Sequence, residues 1–316
     1  MKLLFILDPY DSLSIKKDTS VAMMREAANH GHQLHVCQQH DVYLRSETVH
    51  FKTQVFTFSE GENWYALAEV KDNLPANFDA ILMRKDPPFD NEYLYSTYLL
   101  ELAANQGGTI INNQATVRSW NEKLAVTRFP QFCPDFLVTS QAGLIVDFLT
   151  KHEDIVVKPL DGMGGAGIFR LTKNDPNLNV ILETITSYGK KTIMAQQYLS
   201  AIKQGDKRII VINGEPLPYS LARIPKAGET RGNLAAGGKG VAQPLTERDS
   251  EIATTIGKTL KEEGLFFVGL DVIGDHLTEI NVTSPTGIVE LATQTDCEPA
   301  KVFMDALTAK LESKAR

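Results

Sequence analysis

The chain has 316 residues, 43% of them hydrophobic and 22% charged, with 32 basic against 39 acidic side chains and a net charge of −7. That length suits about two domains with an ample core, and the acidic balance argues against a nucleic-acid partner. The three cysteines, Cys37, Cys133 and Cys297, show neither C-x-x-C spacing nor an even framework; they read as core or bystander residues in a reducing cytoplasm rather than as metal ligands.

The apolar opening, residues 2–7, is too short for a signal peptide and stops at Asp8-Pro9. No stretch approaches the ~20 apolar residues of a membrane span, so a soluble cytoplasmic protein without a membrane partner is expected. Residues 2–8 predict a buried strand. Asp18-Thr19 then caps a helix through Val21, Met23, Met24, Ala27 and Ala28 that stops at Gly31, and residues 33–37 form a second strand. This βαβ opening predicts an open parallel sheet. Residues up to Trp64 read as polar and less regular. A strand over 78–83 ends in Arg84-Lys85-Asp86-Pro87-Pro88, at the end of the sheet where open α/β folds bind ligands. A helix over 91–105 follows, with Tyr95, Tyr98, Leu99 and Leu102 as its core stripe, and then a strand over 109–112. The first domain is expected to span 1–120 and the second 121–316, the latter in halves 121–198 and 199–316.

A short helix starts at Asn121-Glu122-Lys123-Leu124, Pro130 and Pro134 interrupt the chain, and a helix covers 141–151. The stretch that follows dominates the sequence: Ile155-Val156-Val157-Lys158-Pro159-Leu160-Asp161-Gly162-Met163-Gly164-Gly165-Ala166-Gly167-Ile168-Phe169-Arg170-Leu171. A β-branched run delivers a lysine to its end, and a glycine-rich loop then lets backbone N–H groups approach an anion. Although residues 162–167 fit G-x-G-x-x-G, they run into a second strand rather than a helix. The loop therefore caps a β-hairpin and is not a dinucleotide fingerprint. It reads as a cradle for nucleotide phosphates.

After a helix near 179–187 and a strand over 192–196, strands over 208–212 and 215–222 flank Asn213-Gly214, a two-residue hairpin signal that sets position 208 opposite 219. Arg208 and Arg223 then share a face with Asp206 beside them, a costly arrangement unless an anion lies between the arginines. Residues 224–240 lack periodicity, are rich in glycine and carry Arg231 and Asn233, the pattern of a mobile lid. A helix over 251–263 and a strand over 267–273 precede Leu277-Thr278-Glu279-Ile280-Asn281-Val282-Thr283-Ser284-Pro285-Thr286-Gly287. Glu279 and Asn281, two apart on a strand, leave one face and suit hard Mg²⁺. Asp271 joins them only if the intervening turn has an odd length; a two-residue turn at Gly274-Asp275 sends it to the far face.

These segments together resemble the bacterial glutathione synthetases of the ATP-grasp superfamily. The resemblance rests on Met83-Arg84-Lys85-Asp86-Pro87-Pro88-Phe89-Asp90, Lys158 to Gly165, Arg223-Ile224-Pro225, Arg231 to Gly238 and Thr278 to Gly287, and extends from Lys16 to about Glu290. It implies an α/β N-terminal domain followed by an ATP-grasp domain of two α+β halves. It also implies ligation of γ-glutamylcysteine to glycine with release of ADP and phosphate. By the same resemblance Lys123, Lys158 and the loop with Gly162, Gly164, Gly165 and Gly167 hold ATP phosphates. Gln196, Gln197, Tyr198 and Leu199 meet adenine, and Asp206 belongs to the nucleotide site. Asp271, Glu279 and Asn281 take two Mg²⁺, or Mn²⁺ in their place. Arg84, Arg208, Arg223, Arg231, Asn233, Ser284, Pro285, Thr286 and Gly287 contact substrate, with Arg208, Arg223 and Lys158 serving the chemistry. The family also implies a homotetramer. Two rivals stay open: an ATP-grasp ligase for another acid–amine pair, and a nucleotide-binding module without chemistry.

Overall fold

A computed structural model describes residues 1–60, 63–226, 228, 229, 232, 234 and 237–314. The N-terminal part runs β1 (Lys2–Leu7), α1 (Thr19–Asn29), β2 (Gln33–Gln38), β3 (Val42–Arg45), β4 (Thr48–Phe58), β5 (Tyr65–Leu67), β6 (Lys71–Asn73), β7 (Ala80–Met83), α2 (Asn91–Asn105), β8 (Ile110–Ile111) and α3 (Gln114–Ser119). Its sheet has the order β3-β4-β2-β1-β7-β8, with β5 and β6 also on β4. The centre is parallel: β1 pairs with β2 and β7, and β7 with β8. Asp18 starts α1 as its sequence predicts, its carboxylate accepting from Ser20 N and Val21 N.

Two expectations for this part need correction. The region read as irregular holds the 11-residue strand β4, antiparallel to β2 and β3. Its period is hidden because one buried position is the polar Thr53 and because the buried positions change parity between Thr53 and Phe56. On α2, Tyr95, Tyr98 and Leu102 are exposed, and Tyr93, Ser96, Thr97, Leu100 and Ala103 are buried. The helix is apolar on two sides, and the stripe facing the sheet contains hydroxyls that satisfy themselves, Ser96 Oγ on Glu92 O and Thr97 Oγ1 on Leu94 O.

The expected helix at 121–124 is instead a turn leading into a 3₁₀ segment, Ala125–Arg128. Next come β9 (Phe136–Thr139), α4 (Ala142–His152), β10 (Asp154–Pro159), β11 (Phe169–Thr172), α5 (Leu178–Ile185) and β12 (Ile193–Gln197), whose strands form an antiparallel sheet ordered β11-β10-β12-β9. The last part holds β13 (Asp206–Ile212), β14 (Glu215–Ile224), β15 (Lys239–Pro244), α6 (Glu247–Glu262), β16 (Phe267–Ile273), β17 (His276–Asn281), α7 (Ile288–Gln294) and α8 (Pro299–Lys314), with sheet order β15-β14-β13-β16-β17. Helix α6 starts four residues earlier than its apolar pattern suggests, because Thr246 and Asp249 form a capping box.

The apolar run of β1 is buried on both faces, which is why it reads without alternation. Leu4 and Ile6 join one core with Trp120, Ile209 and Val268, while Leu3 and Phe5 join another with Ile210, Phe267 and Phe303. The first and third sheets therefore share their cores. The middle sheet and its helices have a separate one, around Ile145, Ile155, Val157, Leu171 and Ile193. Among the described residues no helix is long and apolar enough to cross a membrane.

Candidate active site

Where the middle and third sheets face each other they enclose a cavity of about 340 Å³, within the range of small-molecule sites. On one side β10 and β11 form the predicted hairpin, with Val157 opposite Phe169. The connecting loop turns through Gly164, Gly165 and Gly167, at φ of 61°, 82° and 70°. Side chains with a Cβ disfavour such angles, so the glycines shape the cradle.

The opposite wall is a row of charged side chains crossing the third sheet. Arg208 on β13 lies opposite Asp271 on β16, and Asp271 lies opposite Glu279 on β17. Two residues along, Asp206 faces Arg223; two residues the other way, Gly269 faces Asn281. Residues two apart share a face, so all six non-glycine side chains turn the same way. Lys207, between Asp206 and Arg208, points to the far face and pairs with Asp249 of α6.

Two register details decide this row. The Asn213-Gly214 turn forms as predicted, both residues at positive φ. A β-bulge then shifts the ladder between Ile209 and Val211, so Arg208 faces Leu221 rather than residue 219. The shift is even, and the two arginines still share a face. The Gly274-Asp275 turn has two residues, the length expected to send Asp271 away. A one-residue bulge at Thr278 restores the pairing of Asp271 with Glu279. The bulged residue also supplies the carbonyl on which Lys158 Nζ donates at 3.0 Å.

Asp271 is the anion that two neighbouring arginines require. Its carboxylate accepts from Arg208 Nε at 2.5 Å and Nη2 at 3.0 Å, and from Arg223 Nη2 at 2.8 Å. Burial pushes its pKa up, but the two guanidiniums outweigh that and hold it well below the usual carboxylate range. Asp206 pairs with Arg223 as well; there burial wins over Arg223, and its pKa rises to about 6. Burial likewise pushes Lys158 down to about 8, against the pull of Glu279. Lys123 donates to Gly162 O at 2.8 Å and to Glu279 Oε1 at 3.0 Å, and Glu279 raises its pKa in spite of burial.

The third wall is the chain after β17. Ser284 Oγ donates to Arg84 O at 3.2 Å, Arg84 Nη2 donates to Pro285 O at 3.0 Å, and Arg208 Nη1 approaches Thr286 O at 3.4 Å. Arg84 thus stands behind the wall and not in the cavity lining. Ser284, Pro285, Thr286 and Gly287 do line it. So do Lys123, Lys158, Gly162, Gly164 and Gly165, whereas Gly167 does not.

Gln196, Gln197, Tyr198 and Leu199 also line the cavity, with Val156 and Ile168. Gln196 Nε2 is buried with no hydrogen-bond partner among the described residues, as suits a wall that meets a polar aromatic edge. Arg170, pinned by Asp154, lies 3.8 Å from the centroid of the Tyr198 ring.

Asp271, Glu279 and Asn281 offer two carboxylates and, with Asn281 Nδ2 donating to Gly269 O at 3.2 Å, one amide oxygen. Among the described residues no group of three His, Cys, Asp or Glu side chains is arranged to hold a metal ion by itself. Such a sparse set of hard oxygens fits Mg²⁺, which draws its remaining ligands from phosphates and water. Arg231 and Asn233, at the centre of the predicted lid, lie outside the described residues. Glu122, Arg170 and Asp86, to which the sequence assigns no role, also line the cavity. Each lies within a quoted motif, and that membership was the only signal available.

Residues 1–118 match the family model of the prokaryotic glutathione synthetase N-terminal domain, and residues 122–296 that of the prokaryotic glutathione synthetase ATP-grasp domain. The chain is 56% identical to a glutathione synthetase of Nitrosomonas europaea, covering 100% of each. It is 50% identical to one of Escherichia coli, covering 99% of this chain and 100% of the other. Among solved structures it is similar to the D-cycloserine synthetase DcsG, with TM-score 0.68 and 16% identity over 98% of this chain and 99% of that one. It is also similar to the ATP-grasp ligase PsnB, with TM-score 0.62 and 16% identity over 98% of both. At these identities the two solved structures speak for the fold alone.

Proposed function

The chain belongs to the prokaryotic glutathione synthetases, and we propose how the residues of its cavity carry out that family's reaction. It is an ATP-dependent carboxylate–amine ligase that joins γ-glutamylcysteine to glycine, releasing glutathione, ADP and phosphate, and it depends on Mg²⁺. The observation that carries the assignment of roles is the charged row Arg208–Asp271–Glu279, with Lys123 and Lys158 beside the glycine loop.

A carboxylate is a poor electrophile, so the γ-phosphoryl group passes first to the cysteinyl carboxylate, forming an acyl phosphate and ADP. The glycine amine then attacks the acyl carbon, the C–O bond to phosphate breaks, and the amine proton is lost to solvent. Lys123, Lys158 and the backbone of 162–167 hold the phosphates, because phosphoryl transfer asks for positioning and charge neutralisation rather than covalent help. Gln196 to Leu199 hold adenine, with Asp206 at the nucleotide's edge. Arg208 and Arg223 offer donors to the oxygens of the acyl phosphate and of the tetrahedral intermediate. Asp271, Glu279 and Asn281 are the residues that would hold two Mg²⁺, or Mn²⁺ in substitution, whose charge offsets that of the triphosphate.

Ser284 to Gly287, backed by Arg84, form the wall against the dipeptide; Arg231 and Asn233, outside the described residues, are assigned to the substrate by the family resemblance alone. An acyl phosphate hydrolyses in water, which supports reading the segment 224–240 as a lid. We further infer a domain boundary near Trp120 with halves meeting near 198 and residence in the cytoplasm, both from the sequence, and a homotetramer from the family resemblance.

The test is ADP release by the purified protein with Mg²⁺, ATP and γ-glutamylcysteine, with and without glycine. ADP formed only with both substrates, and glutathione formed one for one by mass, agrees with the proposal. Equal ADP release without glycine would refute an amine-coupled reaction at this site.

A further inference from the structure

The chain passes from the first sheet into the rest of the molecule through Asn121-Glu122-Lys123, and these residues tie the glycine loop to strand β17 and the chain beyond it. Asn121 Nδ2 donates to Leu160 O at 3.0 Å, at the root of the glycine loop. Its Oδ1 accepts from Lys123 N and Leu124 N, both at 3.1 Å, which fixes the backbone from which Lys123 reaches Gly162 O and Glu279.

Glu122 takes the strand end. Its Oε1 accepts from Val282 N at 2.9 Å, Thr283 N at 3.1 Å and Thr283 Oγ1 at 2.8 Å, and its carbonyl accepts from Ile280 N at 2.9 Å. Strand β17 ends at Asn281, so Val282 and Thr283 have left the ladder just where their N–H groups face the interior. Backbone donors buried there need an acceptor, and one carboxylate oxygen provides it for both. Asn281 precedes the bonded pair and Ser284 follows it, so the direction in which the chain leaves the sheet is set at this carboxylate. Neither phosphate nor metal need touch it.

We propose that Glu122 is a positioning residue. It holds the end of β17 so that Glu279 and Asn281 face the phosphates held by Lys123 and the glycine loop. This rests on the reading of Glu279 and Asn281 as metal-facing residues given above. A side chain that only stabilised the fold would leave the response to Mg²⁺ untouched; a positioning one changes that response first.

The experiment is calorimetric binding of a non-hydrolysable ATP analogue, once with Mg²⁺ and once in EDTA, to the wild type, E122A and E122Q. For E122A the affinity gained from Mg²⁺ falls by about 10- to 100-fold, as for other residues that orient metal ligands, while affinity in EDTA stays unchanged. E122Q, whose amide oxygen still accepts, recovers most of that gain, and in turnover E122A lowers kcat more than it raises KM for ATP. A full Mg²⁺ gain in E122A, an equal loss with and without Mg²⁺, or no recovery in E122Q overturns the proposal. Should E122A not fold, T283V removes only the hydroxyl bond and gives a smaller loss of the same gain; no loss there overturns it equally. A wild type whose affinity ignores Mg²⁺ refutes instead the metal reading of Asp271, Glu279 and Asn281.

Discussion

Lys158 keeps its ammonium in a buried wall, donating to Thr278 O, and burial lowers its pKa to about 8. The charged form therefore predominates below that pH in the free protein and is lost above it. A bound triphosphate favours the charged form, so between pH 8 and 9 nucleotide binding takes up a proton and weakens as pH rises. Calorimetry of an ATP analogue in buffers of different ionisation enthalpy measures that uptake, and Lys158→Met abolishes it. The same shift has a stability sign. A lysine whose folded pKa lies below its unfolded value penalises the fold below the folded pKa, and the penalty fades as pH rises through the unfolded one. Lys158→Met is expected to raise the unfolding midpoint of the nucleotide-free protein at pH 7 while destroying its affinity; a lowered midpoint would contradict the shift. Arg208 carries the other residue-scale expectation. Arg208→Ala removes a donor to the developing negative charge and should lower kcat by about 10²–10³ with KM for ATP little changed, measured by coupled ADP release. Arg208 and Lys158 were legible from their motifs. That Asp271 bridges the arginines was not, because an ion pair between strands depends on register.

On the scale of elements, β16 and β17 show how little separates a working site from an inert sheet. Without the bulge at Thr278, Glu279 would pair with Leu270 and the row would break. Gly269 has a comparable role: a Cβ there would lie 2.7 Å from Arg208 Cδ and 3.0 Å from Pro285 Cβ. Gly269→Ala must displace the arginine or the substrate wall, since a proline ring gives little and Arg208 is tied to Asp271. The variant should lose at least about tenfold in kcat through misplacement, with a circular dichroism spectrum and nucleotide affinity near those of the wild type. Unchanged turnover would show that the wall yields. Helix α2 teaches the converse. Its bulkiest stripe, Tyr95, Tyr98 and Leu102, stays outside, since the sheet selects a face by shape, and small hydroxyl residues let the helix approach closely.

For the molecule as a whole, the distribution of cores sets the order of stability. The first and third sheets are joined by shared apolar clusters and by Asn112, whose side chain bonds Phe266 N, Phe267 N, Phe267 O and Val282 O. The middle sheet has only its own cluster around Ile155 and Ile193. Smaller independent cores open at lower free energy. Amide exchange in β9, β10 and β12 should therefore be faster than in β1, β13 and β16, and an ATP analogue with Mg²⁺ should slow it more there than elsewhere. Uniform exchange across the three sheets would refute this.

The sequence by itself determined the kinds of element and the local chemistry. Asp18 as a cap, Asn213-Gly214 as a hairpin turn, the glycine loop after Lys158, and Glu279 with Asn281 on one face all follow from backbone sterics and strand alternation within a few residues. Only the tertiary structure decided which of these meet. Bulges at β14 and Thr278 fixed the charged row, shared packing chose the buried face of α2, and Glu122 found its partners at Val282 and Thr283, about 160 residues away. Such pairings depend on contacts that close only when the whole chain has collapsed. No local pattern records them.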